Sequence, residues 1–179
     1  LIVPKVFRGF DHEAMARALQ PQLPALKHIV VVGGSGADDF DALLTQPAWE
    51  QEADAKNILT RNRPGPDDIT QLIYTSGTTG EPKGVMHSAN TVMANIIPYA
   101  ERLKLGRDDV VLMASPMAHQ TGFMYGLIMP IMLRASVVLQ DVWDAKKAVE
   151  LIRTERVSFT MASTPFLTDL TKTVAETAQ

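Results

Sequence analysis

Short apolar runs alternate along the chain with segments whose apolar residues have helical spacing. The segment DHEAMARALQ (11–20) predicts a helix that begins after an Asp cap, and HIVVVGG (28–34) predicts a buried strand that ends at glycines. Further strands are predicted at 71–76, 84–88, 110–115, 136–140 and 157–163. Further helices are predicted at 90–103 with Ser88 as its cap, at 121–133, at 144–155 with Asp144 as its cap, and after Pro165. This alternation predicts an α/β fold with three layers, in which a mostly parallel sheet carries helices on both faces.

The alternation is interrupted between two halves of the chain. The sequence is polar from 46 to 70, and RPGPDD (63–68) contains too much proline and glycine for a helix or a central strand. We therefore expect a first α/β part at 1–62, a surface connection at 63–70 and a second part at 71–179. In the second part, 71–75 and the strand after Gly84 should pair as an antiparallel hairpin around a glycine-rich loop.

Composition excludes several classes of function. The chain has 179 residues, 46% of them hydrophobic, and a net charge of −3, with its basic residues scattered. This charge pattern argues against binding to nucleic acid or an anionic membrane. The apolar run 123–133 is too short for a membrane span, which needs roughly 20 residues. The absence of cysteine excludes disulfides, thiol catalysis and cysteine-ligated metal, and makes the cytoplasm the expected location.

Two glycine-rich segments compete as a phosphate site. GGSG (33–36) follows a strand as a dinucleotide fingerprint does, but Asp39 occupies the third glycine position and would repel a pyrophosphate, so a simple turn is expected. TSGTTGEPKG (75–84) does not fit the GxxxxGK[ST] pattern of common NTPases. Its glycines can turn backbone N–H groups inward, its hydroxyls add donors and Lys83 adds a charge. These features predict a polyphosphate site, with a solvent-exposed hairpin loop as the alternative.

The second segment also resembles a known motif. TSGTTGEPKG is similar to the phosphate loop of the adenylate-forming enzymes, the superfamily of acyl-CoA synthetases, luciferases and peptide-synthetase adenylation domains. PDDITQLIYTSGTTGEPKGVMHSANTV, SPMAHQTGFMYGL and VVLQDVWDAKKAVELI resemble, in that order, the central stretch of bacterial acyl-CoA ligases, in particular those for short-chain acids and cyclohexanecarboxylate. The resemblance implies a piece of the large N-terminal domain of such an enzyme.

The resemblance implies a reaction and its substrates. Such enzymes join a carboxylic acid to ATP, with Mg²⁺ on the phosphates, and transfer the acyl group from the acyl-adenylate to coenzyme A. The residues implied to hold the β- and γ-phosphates are Thr75, Ser76, Gly77, Thr78, Thr79, Gly80 and Lys83. Fixed donors and an ammonium would stabilise the charge that develops on the departing pyrophosphate.

A second motif, PMAHQTG (116–122), resembles the part of these enzymes that lies beside the acyl pocket. It implies His119 and Phe123 as pocket residues, although Ala118 replaces the usual aromatic residue. No acid occurs between 115 and 133, which argues against a charged amine substrate. Met117, Met124 and Met129 either line the pocket or belong to the core. The sequence alone does not decide between these two roles.

Four residues remain without a role in the chemistry. Arg134 stands where relatives usually have glycine, and the sequence offers no reason. The other histidines, His12, His28 and His87, lack the spacing of metal ligands, so no protein metal site is expected.

Several parts of the implied active site have no counterpart in the sequence. The motifs for adenine and ribose, the magnesium-binding glutamate and the lysine of the C-terminal lid domain are expected beyond residue 179. We therefore expect no complete catalytic set, no turnover by this chain alone, and self-association through exposed apolar faces. A non-catalytic phosphate-binding module and an NTPase with an unusual loop are the alternatives.

Overall fold

The computed structural model describes residues 1–77 and 80–177. The chain forms two compact units, Leu1–Arg63 and Pro64–Gln179. Both contain parallel strands connected through helices, which confirms the α/β class. Among the described residues the strands lie in small sheets of two or three.

The first unit is built around a pair of parallel strands and one helix. Its strands are β1 (Ile2–Pro4), β2 (Val6–Phe7), β3 (Phe10–Asp11) and β4 (Val30–Val32), and its α-helices are α1 (His12–Leu19) and α2 (Ala55–Arg61). β1 pairs with β4 in parallel, and Ala16 of α1 is buried against them with Val3, Ile29 and Val31. The Asp11 carboxylate accepts the Ala14 N–H at 2.8 Å, which confirms the predicted cap.

Two other segments of this unit can be compared with the expectations from the sequence. GGSG (33–36) is a turn as expected, with Gly33 and Gly36 at φ +73° and +77° and a short 3₁₀ segment, Gly36–Asp38. The polar stretch after residue 46 contains α2, which the sequence did not predict. Its apolar residues Ile58 and Leu59 are exposed. The sequence of α2 therefore lacks the apolar spacing on one face that is typical of a helix packed on a core.

The second unit contains a three-stranded parallel sheet in the order β8-β7-β9. The strands are β5 (Ile69–Thr75), β6 (Lys83–Ser88), β7 (Val110–Met113), β8 (Ser136–Leu139) and β9 (Phe159–Thr160). The helices are α3 (Ala89–Leu103), a π-helix (Gly122–Ile128) that continues into α4 (Met129–Leu133), α5 (Ala145–Thr154) and α6 (Thr164–Thr177). The strand predicted at 157–163 is real but much shorter than expected.

The core of this unit lies where α3 and the π-helix meet β7. Its buried residues are Val92, Ile96, Ala100, Val111, Met113, Met124, Tyr125 and Met129. The Tyr125 hydroxyl donates to Asn95 Oδ1 at 2.7 Å, and burial raises the pKa of Tyr125. Ser88 and Thr91 form a capping box at the start of α3, as the sequence predicted for Ser88. Met124 and Met129 are therefore core residues.

Three helices of this unit end on a basic residue in the left-handed conformation. Lys104 follows α3 with φ +55°, Arg134 follows α4 with φ +57°, and Arg156 lies two residues after α5 with φ +54°. In each case the next N–H bonds to a carbonyl five residues earlier, as in Ala135 to Pro130 at 2.9 Å. This conformation favours glycine, and nothing in the structure explains the arginine at position 134.

None of the helices in the described part of the chain has both the length and the apolar character needed to cross a bilayer. Over the same residues, no group of three or more His, Cys, Asp and Glu is arranged to hold a metal ion.

Candidate active site

The predicted phosphate loop connects two antiparallel strands. β5 and β6 pair with Tyr74 opposite Gly84 and Thr75 opposite Lys83, which confirms the predicted hairpin. The Thr75 hydroxyl oxygen lies 3.5 Å from the Lys83 carbonyl oxygen. The last strand pair before the loop therefore places a hydroxyl and an ammonium on facing strands.

The backbone of the loop needs its glycines. Gly77 and Gly80 have φ +57° and +89°, which side chains other than glycine rarely tolerate. A Cβ on Gly77 would also overlap the Glu81 carbonyl oxygen. Thr78 and Thr79 lie outside the described residues. The loop thus closes tightly on its own backbone at Gly77.

The charge on Lys83 is available to a ligand. Thr75, Ser76, Gly80 and Lys83 are exposed, and Gly77 is half-buried. The ion pairs found among the described residues involve Arg17 and Lys147, and none involves Lys83. An exposed ammonium beside hydroxyls and left-handed glycines is suited to an anion with several oxygens.

The second motif begins at the carboxyl end of the central strand. β7 lies between β8, the next strand in sequence, and β9, so the chain changes direction across the sheet at β7. Such switch points, at the carboxyl ends of parallel strands, are where open α/β sheets bind ligands. A cleft of about 350 Å³ opens there, and Ser115, Pro116 and Met117 are among its walls.

His119 is held in a turn that fixes its tautomer. The backbone N–H of His119 donates to the Pro116 carbonyl at 3.0 Å, and the ring Nδ1 accepts the backbone N–H of Thr121 at 3.1 Å. Because Nδ1 is an acceptor, a neutral His119 ring carries its proton on Nε2. His119 is exposed and can therefore donate a hydrogen bond from Nε2.

A second cleft, of about 440 Å³, joins the two motifs. It is lined by Gln71, Leu72, Ile73, Tyr74, Met117, Ala118 and Phe123. Phe123 therefore faces the same space as the strand that leads into the phosphate loop. His119 is not part of this lining, although its neighbour Ala118 is.

Sequence reasoning missed several residues that shape this region. A Cβ on Gly122 would overlap the Pro116 carbonyl oxygen, and one on Gly126 would overlap Met113 Cγ, so both glycines allow the π-helix to lie close to β7 and the turn. Their spacing of four residues in an apolar helix was the available signal.

The polar atoms of three glutamines were also not anticipated. In the part of the chain that the structure describes, Oε1 of Gln71, both amide atoms of Gln120 and Oε1 of Gln140 are buried without a hydrogen-bond partner. Pattern analysis gives no signal for such atoms, because it cannot show which hydrogen bonds a fold leaves unmade.

Comparison with known proteins decides the family. The model of the AMP-binding enzyme family matches residues 1–179. The chain belongs to the AMP-binding enzyme family.

Known members of this family include acyl-CoA ligases with sequence similarity to the chain. A medium-chain fatty-acid–CoA ligase of Escherichia coli is 32% identical over 167 residues, which is 93% of this chain and 29% of that protein. A benzoate–CoA ligase of Thauera aromatica is 36% identical over 119 residues, or 66% of this chain and 21% of that protein. The chain thus spans less than a third of these AMP-binding enzymes.

Solved structures of AMP-binding enzymes agree with this assignment. O-succinylbenzoate coenzyme A synthetase from Bacillus subtilis, in complex with ATP and a magnesium ion, matches with a TM-score of 0.56 and 28% identity. The match covers 59% of this chain and 22% of that one.

Proposed function

We propose that this chain is part of an AMP-forming acyl-CoA ligase. The enzyme would join a carboxylic acid to ATP with release of pyrophosphate, and then transfer the acyl group from the adenylate to coenzyme A. The observation that carries the proposal is the hairpin loop between Thr75 and Lys83, which shares strand β5 with an apolar cleft. Family membership and the similar CoA ligases support it.

The phosphate loop would hold the β- and γ-phosphates of ATP. The proposed contacts are backbone N–H groups, hydroxyls and the ammonium of Thr75, Ser76, Gly77, Thr78, Thr79, Gly80 and Lys83. Two observations support these contacts. A side chain at Gly77 would fill the turn, so glycine keeps it open. Lys83 has no ion-pair partner among the described residues, so its charge is available to the phosphates. Magnesium would arrive on the ATP phosphates and supply further charge neutralisation there.

These contacts act on the leaving group. As the carboxylate attacks the α-phosphorus, negative charge develops on the departing pyrophosphate, and donors already in place stabilise it without reorganisation. Lys83 therefore contributes to adenylate formation and not to the later attack by the coenzyme A thiol.

The acyl part of the acid would lie in the cleft beside Phe123. Leu72, Ile73, Met117, Ala118 and Phe123 give this cleft mainly apolar walls, which suit a ring or a short chain. His119 lies next to Ala118 and presents an Nε2 donor that could contact the carboxylate end. The proposed acyl-pocket residues are thus Phe123 in the wall and His119 beside it.

Nucleotide release distinguishes this proposal from its alternatives. The whole protein is incubated with ATP and a set of carboxylic acids, with and without coenzyme A, and AMP and ADP are quantified. We expect AMP release that requires an acid, and thioester formation that requires coenzyme A. ADP release without an acid would indicate an NTPase, and binding of ATP without either product would indicate a non-catalytic module. The 179-residue chain alone should give no turnover, because it spans less than a third of the CoA ligases that it resembles. The cytoplasmic location expected from the sequence also stays a prediction.

We further propose that the chain associates with itself in solution. The hairpin alone exposes Ile69, Leu72, Tyr74 and Met86 by half or more of their surfaces, and contiguous apolar surface tends to be covered. Light scattering at increasing concentration should show species larger than 19.6 kDa. A constant monomer mass up to high concentration would contradict this.

A further inference from the structure

Met117 belongs to the walls of two clefts. We call the cleft of about 440 Å³ beside Phe123 the acyl cleft, and the cleft of about 350 Å³ at the carboxyl end of β7 the switch-point cleft. Both are lined by Met117, and among the described residues the two linings share no other member. Pro116 lines the switch-point cleft and Ala118 lines the acyl cleft, so the chain passes from one to the other at residue 117.

The side chain of Met117 reaches from this turn to the π-helix. A Cβ placed on Gly126 would lie 3.4 Å from Met117 Cε and would overlap Met113 Cγ. Met113 is a wall of the switch-point cleft, and the π-helix that contains Gly126 also carries Phe123 of the acyl cleft. The Met117 side chain therefore lies between residues of the two clefts, and 38% of this residue stays exposed.

The space behind Met117 suits the far end of an apolar acyl group. More apolar than polar residues line the switch-point cleft, and the apolar ones are Met113, Ala114, Pro116, Met117 and Leu139. Asp141 lies in the same lining and is exposed, so its carboxylate would repel the carboxylate of an acid. The apolar tail of an acid would therefore be favoured there over its carboxylate end.

We propose that Met117 is a specificity-determining residue that sets the upper size limit of the acyl group, because its side chain closes the acyl cleft towards the switch-point cleft. This rests on the proposed function, since it assumes that the acyl part lies in the acyl cleft. The substrate class is then a ring or short-chain acid without a long apolar extension. Even one methylene group that a pocket cannot accommodate typically changes kcat/KM by about tenfold or more.

The test compares acids that differ by a flexible apolar extension. The whole protein is assayed with hexanoate and decanoate, and with benzoate and 4-butylbenzoate. For each pair, kcat/KM for acid-dependent AMP release gives a ratio of the longer to the shorter acid. We expect ratios below one in the wild type, and Met117→Ala should raise at least one of them about tenfold or more, because the two clefts then become continuous.

Two further variants control for the substitution itself. Met117→Phe keeps the boundary filled, so its ratios should stay at or below those of the wild type. Met15→Ala removes a methionine of nearly the same exposure, 39%, that lines neither cleft, and it should leave the ratios unchanged. Circular dichroism checks that each variant is folded, and Met117→Ser replaces Met117→Ala if that variant is not.

The outcomes separate the two proposals. If no carboxylic acid supports AMP release, the proposed function fails and this inference fails with it. If other acids are activated but none of these four is, the inferred acid class is wrong. A wild type that uses the longer acid of either pair as well as the shorter one overturns the inference without any variant. If the ratios are the same in the wild type and Met117→Ala, only the role of Met117 is wrong, as it would be if the backbone of the turn separates the clefts.

Discussion

The backbone conformation of Arg134 is energetically unfavourable for any residue other than glycine. Its φ of +57° ends α4 and directs the chain into β8, where glycine would be unstrained. The left-handed conformation costs a residue with a side chain roughly 1–2 kcal/mol, and glycine would avoid this cost. The greater freedom of glycine in the unfolded chain would in turn lower the free energy of unfolding by roughly 0.4–1 kcal/mol. Arg134→Gly should therefore raise the free energy of unfolding by about 0.5–1 kcal/mol.

Urea unfolding measures this effect. Arg153→Gly is the control, because Arg153 lies in the last turn of α5, where glycine lowers helix stability by up to about 1 kcal/mol. The account of Arg134 would be wrong if both variants lowered stability.

Asp109 connects the start of β7 to the start of β9. Its carboxylate accepts the Ser158 hydroxyl at 2.6 Å and the Gly106 N–H at 2.7 Å, and these hydrogen bonds lower the pKa of Asp109, the Ser158 bond most. A carboxyl whose pKa is lower in the folded state stabilises the fold above its unfolded pKa. That stabilisation is lost as the pH falls through the folded pKa.

Asp109→Asn should therefore be less stable than the wild type at pH 7, and the difference should shrink below about pH 4. Urea midpoints at pH 7 and pH 3 measure both quantities. The neighbouring Asp108 is exposed and makes no hydrogen bond in the described structure, so Asp108→Asn should change neither midpoint. An equal deficit of Asp109→Asn at both pH values would show that the carboxylate's charge is not what stabilises this contact.

Individual residues were predictable where local sequence decides their role. Asp11, Ser88 and Asp144 cap helices as predicted, since a cap depends on the next few residues only. The unpaired amide atoms of Gln71, Gln120 and Gln140 were not predictable, because an unmade hydrogen bond depends on which side chains the fold brings together.

At the scale of elements, the π-helix Gly122–Ile128 packs closely on β7, because the Met113 side chain lies against the backbone of Gly126. Gly126 is buried, and an added Cβ would overlap Met113 Cγ. Overpacking of this kind typically costs about 1–3 kcal/mol, so Gly126→Ala should lower the free energy of unfolding by that amount. Gly106→Ala is the matched control, since no atom lies within 4 Å of the added Cβ and its φ is not in the left-handed region.

Thermal unfolding of the two alanine variants gives the comparison. Gly106→Ala should be neutral or slightly stabilising, because alanine reduces the freedom of the unfolded chain. If Gly126→Ala were as stable as Gly106→Ala, the helix would not need its close approach to β7.

Elements with a clear apolar spacing were predicted correctly, whereas the length of β9 and the presence of α2 were not. α3 and β7 bury one face or both, so their patterns were clear. β9 has two residues where seven were expected, since the apolar character of 157–163 indicates burial but not how far strand pairing extends. α2 was missed because its exposed apolar side chains leave no core-facing period.

At the scale of the whole molecule, the α/β class followed from the alternation of elements, and the hairpin followed from two strands around a glycine loop. The arrangement of β9 beside β7 did not, because strand order depends on contacts between distant parts of the sequence. That order places the second motif, PMAHQTG (116–122), at the switch point of the sheet. The cleft shared by Phe123 and β5 likewise required the structure.

The central claim is that Lys83 acts on the pyrophosphate that leaves in the first half-reaction. If Lys83 contacts the phosphates as proposed, Lys83→Ala in the whole protein removes one charged contact worth roughly 1.5–3 kcal/mol, which corresponds to about 10- to 150-fold in rate. Lys56→Ala, at an exposed position on α2, is the control for loss of a lysine.

The most direct measurement compares the two half-reactions of Lys83→Ala. Adenylate formation is followed from ATP and acid, and thioester formation is followed from synthetic acyl-adenylate and coenzyme A. The account predicts that Lys83→Ala slows the first by about 10- to 150-fold and leaves the second near the wild-type rate, with Lys56→Ala normal in both. Equal slowing of both half-reactions by Lys83→Ala would contradict the account.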